Sequence, residues 1–296
     1  MTNISIIYVN WNSADEILES VASIRELSSG CSHEIIVVDN QSAESPDALD
    51  QPGVIKLIKS PKNGGFGSGC NIGAAAAQGK YLLFLNPDTL LKNDVLSILF
   101  DFMEKHPEAG ACGGMILNDD GELNYNGGRR CHSMLNDFLE HSTLCFKFPK
   151  VPIIGRPYYG GWDHKSTRQV EALCGACMLF RKQVFDQLGG FDEQYFMYCE
   201  EIDLCLRTNK SGHKIYYVAE AVLIHKRLAS SMQYYSEYHK IVMQLMNSEV
   251  KYFMKNHGRL YTYFWRKGVG LIYYFRYLRH KRKEDQEKYR WGLYNV

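Results

Sequence analysis

Five short segments carry side chains able to do chemistry. Asn86-Pro87-Asp88 ends the apolar run 81–85, and Pro87, which has no backbone donor, stops the strand where Asp88 begins. A carboxylate beside a neutral amide suits a hard divalent cation shared with substrate phosphates; the same triplet also makes an ordinary turn before a helix. Glu200-Glu201-Ile202-Asp203 sets three carboxylates at the start of a helix continued by Leu204, Cys205 and Arg207. The helix dipole favours acids there, so capping is one use and removal of a hydroxyl proton is another. Asn63-Gly64-Gly65-Phe66-Gly67-Ser68-Gly69 follows a strand and opens a helix. That suits either a phosphate at the helix N-terminus or a tight, closely packed turn. Sharper motifs fail. Gly65-x-Gly67 leads to Cys70 where a dinucleotide fingerprint has Gly or Ala, and Gly73 and Gly79-Lys80 have five residues between them and precede Tyr81, where a P-loop needs four and then Ser or Thr. His225 ends the run 221–224 and taken alone is a structural histidine, while Cys174 and Cys177, with no second pair, read as part of a buried strand rather than as a zinc or redox site.

The elements that must position these groups follow from periodicity. Strand 4–9 leads into helix 14–27, where Ser13 and Glu16 match a capping box and Ile17, Val21 and Ile24 recur at helical spacing. Further strands are expected at 34–38, 54–58 and 81–85, with a small-residue helix at 69–78 between the last two. Alternating strands and helices indicate βαβ units and a parallel sheet, whose ligands sit outside the carboxyl ends of the strands. Three strands run out into Asn10-Trp11-Asn12, Asp39-Asn40 and Asn86-Pro87-Asp88, so polar residues converge on one edge. Helix 93–105, strand-like 109–117, a turn at 119–121, a long loop at 146–168, strand 170–181, helices 182–188 and 200–210, and strands 214–218 and 221–225 complete the body. From Gln233 the pattern is helical to the end.

With 296 residues, 45% hydrophobic and 23% charged, the chain is an ordinary folded protein, and its net charge of +1 gives no reason to expect nucleic acid as a partner. The distribution is uneven: Lys251 to Val296 hold 12 Lys/Arg, 3 Asp/Glu and 13 of the 38 aromatic residues, which leaves 1–250 at −8. Nine irregularly spaced cysteines and no basic, apolar leader argue against secretion and for reduced thiols. The uncharged stretch 268–275 is far shorter than the roughly 18 to 20 residues a spanning helix needs.

Taken in order, Ile6-Ile7-Tyr8-Val9-Asn10-Trp11-Asn12, Val37-Val38-Asp39-Asn40-Gln41-Ser42, Asn63-Gly64-Gly65-Phe66-Gly67, Leu85-Asn86-Pro87-Asp88, Gly175-Ala176-Cys177-Met178, Gly189-Gly190-Phe191-Asp192-Glu193, Glu200-Glu201-Ile202-Asp203-Leu204-Cys205-Leu206-Arg207 and His225 resemble a family 2 glycosyltransferase of the rhamnosyltransferase-like branch. The resemblance covers about residues 4–231. It implies an α/β GT-A fold with a mostly parallel, Rossmann-like sheet, a nucleotide-sugar donor, Mg²⁺ or Mn²⁺ as cofactor, and inversion at the anomeric carbon. Carried over block by block, it makes Asn10 and Asn12 the wall of the base pocket and Asp39 the carboxylate that holds base or ribose. Asn63, Gly65, Asn86, Asp88 and Gly175 line the donor, and Asp88 and His225 hold the metal. Glu201 falls on the second acidic position of the family's Glu-Asp pair, the catalytic base, and is one methylene longer here. Glu200, Trp162 and the 146–168 loop are secondary candidates for acceptor or sugar.

These expectations define an enzyme domain at 1–231 and a helical, basic and aromatic segment at 232–296. The expected donor is dTDP-L-rhamnose, with a UDP- or GDP-hexose as alternative, and the acceptor a lipid-linked or growing cell-surface glycan. The rivals are a sugar nucleotidyltransferase, whose Gly-rich basic signature is missing from 5–12, and a non-catalytic sugar-binding protein. The resemblance places the enzyme in a bacterial cytoplasm, peripheral on the inner face of the cell membrane. On a helical wheel from 261, Tyr261, Phe264, Trp265, Leu271, Ile272, Phe275 and Leu278 fall on one side and Arg259, Arg266, Lys267 and Lys281 away from it, as in an interfacial helix. Residues 259–283 would then attach the chain to an anionic membrane; the alternative is a helix packed on the body or on a second copy.

Overall fold

The structure is a computed structural model and describes residues 2–28, 30–226 and 238–279. In chain order it runs β1 (Ile4–Asn10), α1 (Ala14–Leu27), β2 (His33–Asp39), β3 (Ile55–Lys59), α2 (Phe66–Ala75), β4 (Tyr81–Leu85), β5 (Thr89–Leu91), α3 (Val95–Lys105), β6 (Ala109–Leu117) and β7 (Gly128–Arg129). It continues through α4 (Met134–His141), α5 (Leu144–Lys147), β8 (Arg168–Val170), β9 (Ala172–Leu173), β10 (Cys177–Arg181), α6 (Lys182–Gln187), α7 (Glu200–Lys210), β11 (Lys214–His225), α8 (Tyr238–His257) and α9 (Arg259–Arg279). The chain divides into two compact units. One holds Arg130–Trp162, Met197–Cys199, α8 and α9, and the other the strands with α1–α3, α6 and α7.

In the α/β unit the sheet order is β3-β2-β1-β4-β10-β6-β11-β5, with β8 also on β11 and β7–β9 as a separate ribbon. β3, β2, β1 and β4 are parallel, as are β6 and β11; β10 runs antiparallel between β4 and β6, and β5 antiparallel on β11. The parallel pairs carry most of the register, as the alternation of elements predicts. Ile-Ser-Ile-Ile-Tyr-Val-Asn in β1 and Tyr-Leu-Leu-Phe-Leu in β4 are buried at every position, the pattern of strands covered on both faces. Each fully buried Leu or Ile contributes about 1.5–3 kcal/mol, so these short strands are fixed by burial. α3 turns Val95, Leu96, Leu99 and Met103 inward, and its Asp94 cap accepts the Ser97 N–H at 3.1 Å. Because β1, β2 and β4 are parallel neighbours, their ends deliver Asn10, Asp39 and Asn86 to one edge.

Several local expectations need correction. Ser13 precedes α1 but makes no side-chain cap; its hydroxyl donates to the Trp11 carbonyl at 3.1 Å, because Asn10 already shapes this turn through the Ser13 N–H. α2 starts at Phe66, three residues early, since the glycines continue straight into helix. The expected strand 170–181 breaks into β8, β9 and β10 around a turn in which the Cys177 N–H reaches the Cys174 carbonyl. The nine cysteines form no disulfide. Burial pushes the Cys177 thiol up to about 12, a poor state for binding zinc or for exchange.

The second unit is helical and is tied together by buried polar groups. Gly258, at φ +83°, ends α8 and lets the chain reverse into α9, so the tail is two helices rather than one. α9 packs on α4 and α8. On its inner side Thr262, Trp265, Val269 and Tyr273 are buried. Trp265 Nε1 donates to Asp137 Oδ2 at 3.1 Å, Tyr261 Oη accepts the Met134 N–H at 2.8 Å, and Arg276 donates to the His141 carbonyl at 2.6 Å. The expected single apolar side is therefore wrong in one respect: Trp265 is fully buried while Phe264, Leu271, Phe275 and Leu278 are exposed. At 100° per residue the buried and exposed sets lie on opposite sides of the helix. The expected segment 280–283, with Lys281, lies outside the described residues. Among the described residues no helix is long and apolar enough to cross a membrane.

Candidate active site

The edge where β1 and β2 end is stitched by short polar side chains. Asn10 donates to Asp39 Oδ1 at 2.8 Å and to Ser42 Oγ at 3.1 Å, and its own carbonyl accepts the Ser13 N–H at 3.0 Å. Asn12, at φ +53°, accepts the Ala43 N–H at 2.7 Å, and its N–H reaches Ser42 Oγ. Asn10 and Asn12 thus stand beside Asp39, with their amides engaged in shaping loops 10–13 and 39–44. They can form a pocket wall through the loops they hold.

The Gly-rich segment is fixed from the same edge by Asn40, which sequence reasoning did not select. Its amide donates to Asn63 Oδ1 at 2.8 Å and to the Gly65 carbonyl at 3.1 Å, and its oxygen accepts the Gly64 N–H at 3.3 Å. Asn63 in turn accepts the Gly65 N–H at 3.0 Å. Gly65 has φ +89°, and a Cβ there would lie 1.9 Å from the Phe196 carbonyl oxygen, so glycine is required. The signal for Asn40 was a polar residue following the buried run Ile35–Val38.

Asn86, Asp88 and His225 meet. The β4–β10 register sets Cys177 opposite Leu85, and the Asn86 N–H donates to the Ala176 carbonyl at 3.1 Å, which brings Gly175-Ala176 alongside. The β5–β11 register pairs Thr89 with His225. His225 Nε2 is 3.2 Å from Asp88 Oδ1 and 3.2 Å from Asn86 Nδ2. Asp88 is 6% exposed, and the His225 side chain 16%. Two ligands at right angles on a hard cation with bonds of ~2.1 Å stand about 3 Å apart, so one nitrogen and one carboxylate oxygen at this spacing fit Mg²⁺ or Mn²⁺.

The three acids of α7 have separate fates. Asp203 is fully buried and paired with Arg207 at 2.8 Å, whose guanidinium donates to the Leu188 and Gly190 carbonyls; this acid braces the Gly189-Gly190 turn. Glu200 is 4% exposed, and burial, with Glu201 beside it, pushes its carboxyl well above the usual range. Glu201 is half-buried, and a Cβ on Gly175 would lie 3.6 Å from its Cγ. Glu201 therefore adjoins the strand turn that also contacts Asn86, and is the acid of the three best placed to take a proton. Tyr198 and Cys199, both at φ near +70°, make the sharp entry into α7. Trp162 falls in the helical unit, its ring edge-on to Tyr159 at 6.1 Å.

A second His–carboxylate cluster, in the helical unit, was not expected from sequence. Ligand atoms of His132, Asp137 and Glu249 lie within 4.8 Å of one another. They are already engaged: His132 Nδ1 with Asp137 Oδ1 at 2.8 Å, Asp137 Oδ2 with Trp265, and Glu249 with His141 Nε2 at 3.1 Å. Burial opposes charge on His141, but Glu249, helped by Asp137 and Glu140, outweighs it and lifts the imidazolium to about 9. The group is a buried strut.

Comparison with known proteins places this geometry. Glycosyl transferase family 2 matches residues 5–189. An N-acetylglucosaminyl-diphospho-decaprenol L-rhamnosyltransferase of Mycobacterium tuberculosis is 31% identical over 211 residues, 67% of each chain. Rhamnosyltransferase WbbL of Escherichia coli is 31% identical over 182 residues, 58% of this chain and 65% of its own. The crystal structure of GalNAc-T7 with UDP, GalNAc and Mn²⁺ superposes with a TM-score of 0.58 over 76% of this chain and 44% of that one, at 16% identity, which shows a shared GT-A-type fold. A family match that spans the Asn10, Asp39, Gly65, Asp88 and Gly175 segments, joined to this fold, makes the chain a member of glycosyltransferase family 2, on its rhamnosyltransferase-like branch.

Proposed function

We propose that the protein transfers L-rhamnose from dTDP-L-rhamnose, with inversion, to a hydroxyl of a lipid-linked or growing cell-surface glycan. The observation that carries the reading is the Asp88–His225 pair at 3.2 Å, on the sheet edge to which Asn10, Asp39 and Asn86 converge. The names of the two rhamnosyltransferase relatives support the sugar, and the first relative's name supports the lipid-linked acceptor.

In this reading Asp39 and the loops held by Asn10 and Asn12 receive the nucleoside, while the Gly64–Phe66 backbone and Gly175-Ala176 line the diphosphate and sugar. Asp88 and His225 would hold a Mg²⁺ or Mn²⁺ ion, with Asn86 beside them. When bound, that cation neutralises charge on the departing diphosphate. Glu201 accepts the proton of the acceptor hydroxyl as its oxygen bonds to the anomeric carbon and the bond to the diphosphate breaks. A lipid-linked acceptor places the working enzyme on the cytoplasmic face of the cell membrane, attached through 259–283.

The test is release of nucleoside diphosphate from dTDP-L-rhamnose, UDP- and GDP-hexoses, with and without chelator. The expected result is metal-dependent release from the dTDP sugar, with Glu201→Gln lowering turnover ~10²–10⁴-fold at nearly unchanged donor affinity. Full activity in excess chelator, or a dead Glu200→Gln beside an active Glu201→Gln, overturns the assignment. A nucleotidyltransferase would instead release pyrophosphate from a nucleoside triphosphate, and a sugar-binding protein would release nothing.

A further inference from the structure

Among the described residues, the large apolar side chains that stand exposed all belong to the helical unit. Most of them form two groups. One is the outer side of α9, where Leu260, Phe264, Leu271, Phe275 and Leu278 are 55–73% exposed and recur at spacings of three, four and seven residues. The other is the end of α5 and the loop after it, where Phe146, Phe148, Val151 and Ile153 are 42–76% exposed.

This loop is rigidly built. Phe148 N–H donates to Leu144, Val151 to Phe148 and Gly155 to Val151, at 2.9, 3.2 and 2.7 Å. Cys145 and Tyr158 anchor its two ends in the unit, being fully and almost fully buried. Helix α4, which itself exposes Leu135, packs on both α5 and α9, so the two groups flank one helix. A soluble surface that holds apolar side chains outward on a hydrogen-bonded frame marks an interaction site.

Charge selects the occupant. Residues 144–156 contain Lys147, Lys150 and Arg156 and no acid, and α9 contains five Lys/Arg and no acid. Lys147, Lys150, Arg259, Lys267 and Arg279 are exposed. A two-fold contact between copies would set this patch against itself and oppose like charges without acids to relieve them. An anionic bilayer offers the complement to both features, apolar depth for the Leu, Phe and Ile side chains and negative headgroups for the cations.

We infer that the helical unit docks on an anionic phospholipid bilayer through two elements, the 146–153 loop and the outer face of α9. The inference rests on the membrane placement given above and adds the loop, 106 residues upstream of α9 by the Ile153–Arg259 spacing, as a second insertion point. The inner face of α9, with Trp265 and Tyr273, stays in the protein. Two insertion points also fix the orientation of the unit on the surface, which a single helix does not.

The test compares full-length protein with Phe148→Ser/Ile153→Ser and Phe264→Ser/Phe275→Ser variants, all exposed positions, by co-sedimentation with phosphatidylglycerol-containing and pure phosphatidylcholine vesicles. Wild type should bind the anionic vesicles, more weakly as salt rises, and each pair of substitutions should weaken binding roughly tenfold or more. Thermal melting should not change. If wild type binds and the loop variant binds equally well, the two-element inference fails while the placement stands. If wild type ignores anionic vesicles at low salt, the placement fails too. A wild-type dimer in solution that either variant splits shows a second copy on this face and overturns the inference.

Discussion

Two regions of this molecule use the same chemistry to opposite ends. At the sheet edge, His225 and Asp88 stand 3.2 Å apart with Asn86 beside them, on the last residue of one strand and the turn before another. In the helical unit, His132 and Asp137 stand 2.8 Å apart, and His141 and Glu249 3.1 Å apart. The helical pairs are closed: Trp265 takes the other Asp137 oxygen, Tyr273 Oη lies 3.5 Å from His141, and all four side chains of the two pairs are at most 8% exposed. Residue types therefore do not distinguish a site from a strut. What distinguishes them is whether the remaining coordination is filled by protein, and by this measure the strand-edge pair is the one left able to accept a ligand.

The contrast can be broken by substitution. Asp137→Ala should have the largest effect, because it leaves the Trp265 N–H and His132 buried without their carboxylate; loss of one partner of a buried pair costs about 3–5 kcal/mol. Chemical denaturation should show that loss, and an unchanged midpoint would mean that the cluster is no strut. Asp88→Ala should leave the same midpoint almost untouched and instead lower transfer ~10²–10³-fold, about 3–4 kcal/mol on the barrier, with nucleoside diphosphate binding weakened more than nucleoside binding. Equal losses for both ligands would remove Asp88 from the phosphate end.

The smallest effect sharpens the comparison through pH. His141 in the folded protein titrates at about 9 against 6.5 unfolded, so its contribution is complete below pH ~6.5 and is lost as pH rises through about 9. Melting temperature should fall by a few degrees more between pH 7.5 and 10 in wild type than in His141→Gln, in which that ionisation is gone. Parallel curves for the two proteins would show that His141 is neutral in the fold.

The strand-edge site was legible in the sequence because each of its parts ends a buried run. Asp39 follows Ile35–Val38, Asn86 and Asp88 follow Tyr81–Leu85, and His225 closes Ala221–Ile224, so local pattern and parallel topology suffice to bring them together. Asn40 was visible on the same ground but was passed over, since its task is to hold Asn63 and Gly65 rather than a ligand. The strut was not legible. His132, Asp137, Glu249 and Trp265 obey no spacing, and only the packing of α4, α8 and α9 makes them neighbours. The face of α9 was misread for a different reason: its buried and exposed sides are both apolar, and a wheel drawn without the protein merges them. The break at Gly258, in contrast, needed only weight given to a glycine among helix formers.

The Trp265–Asp137 hydrogen bond spans 128 residues, and this has a consequence for synthesis on the ribosome. Chains are made at about 5–20 residues per second, so Asp137 leaves the decoding centre roughly 6–25 s before Trp265 is added. For that interval α4 is present with its carboxylate lacking the indole that closes it and with the inner surface meant for α9 uncovered. Met197 is in the same position, since its carbonyl is received by Ser248 Oγ at 2.7 Å and by the Gln244 amide at 3.3 Å. The Met197 carbonyl thus acquires these two hydrogen bonds only after about fifty further residues have been made. A chain released before α8 and α9 are complete therefore lacks the indole that meets Asp137 and the groups that meet the Met197 carbonyl.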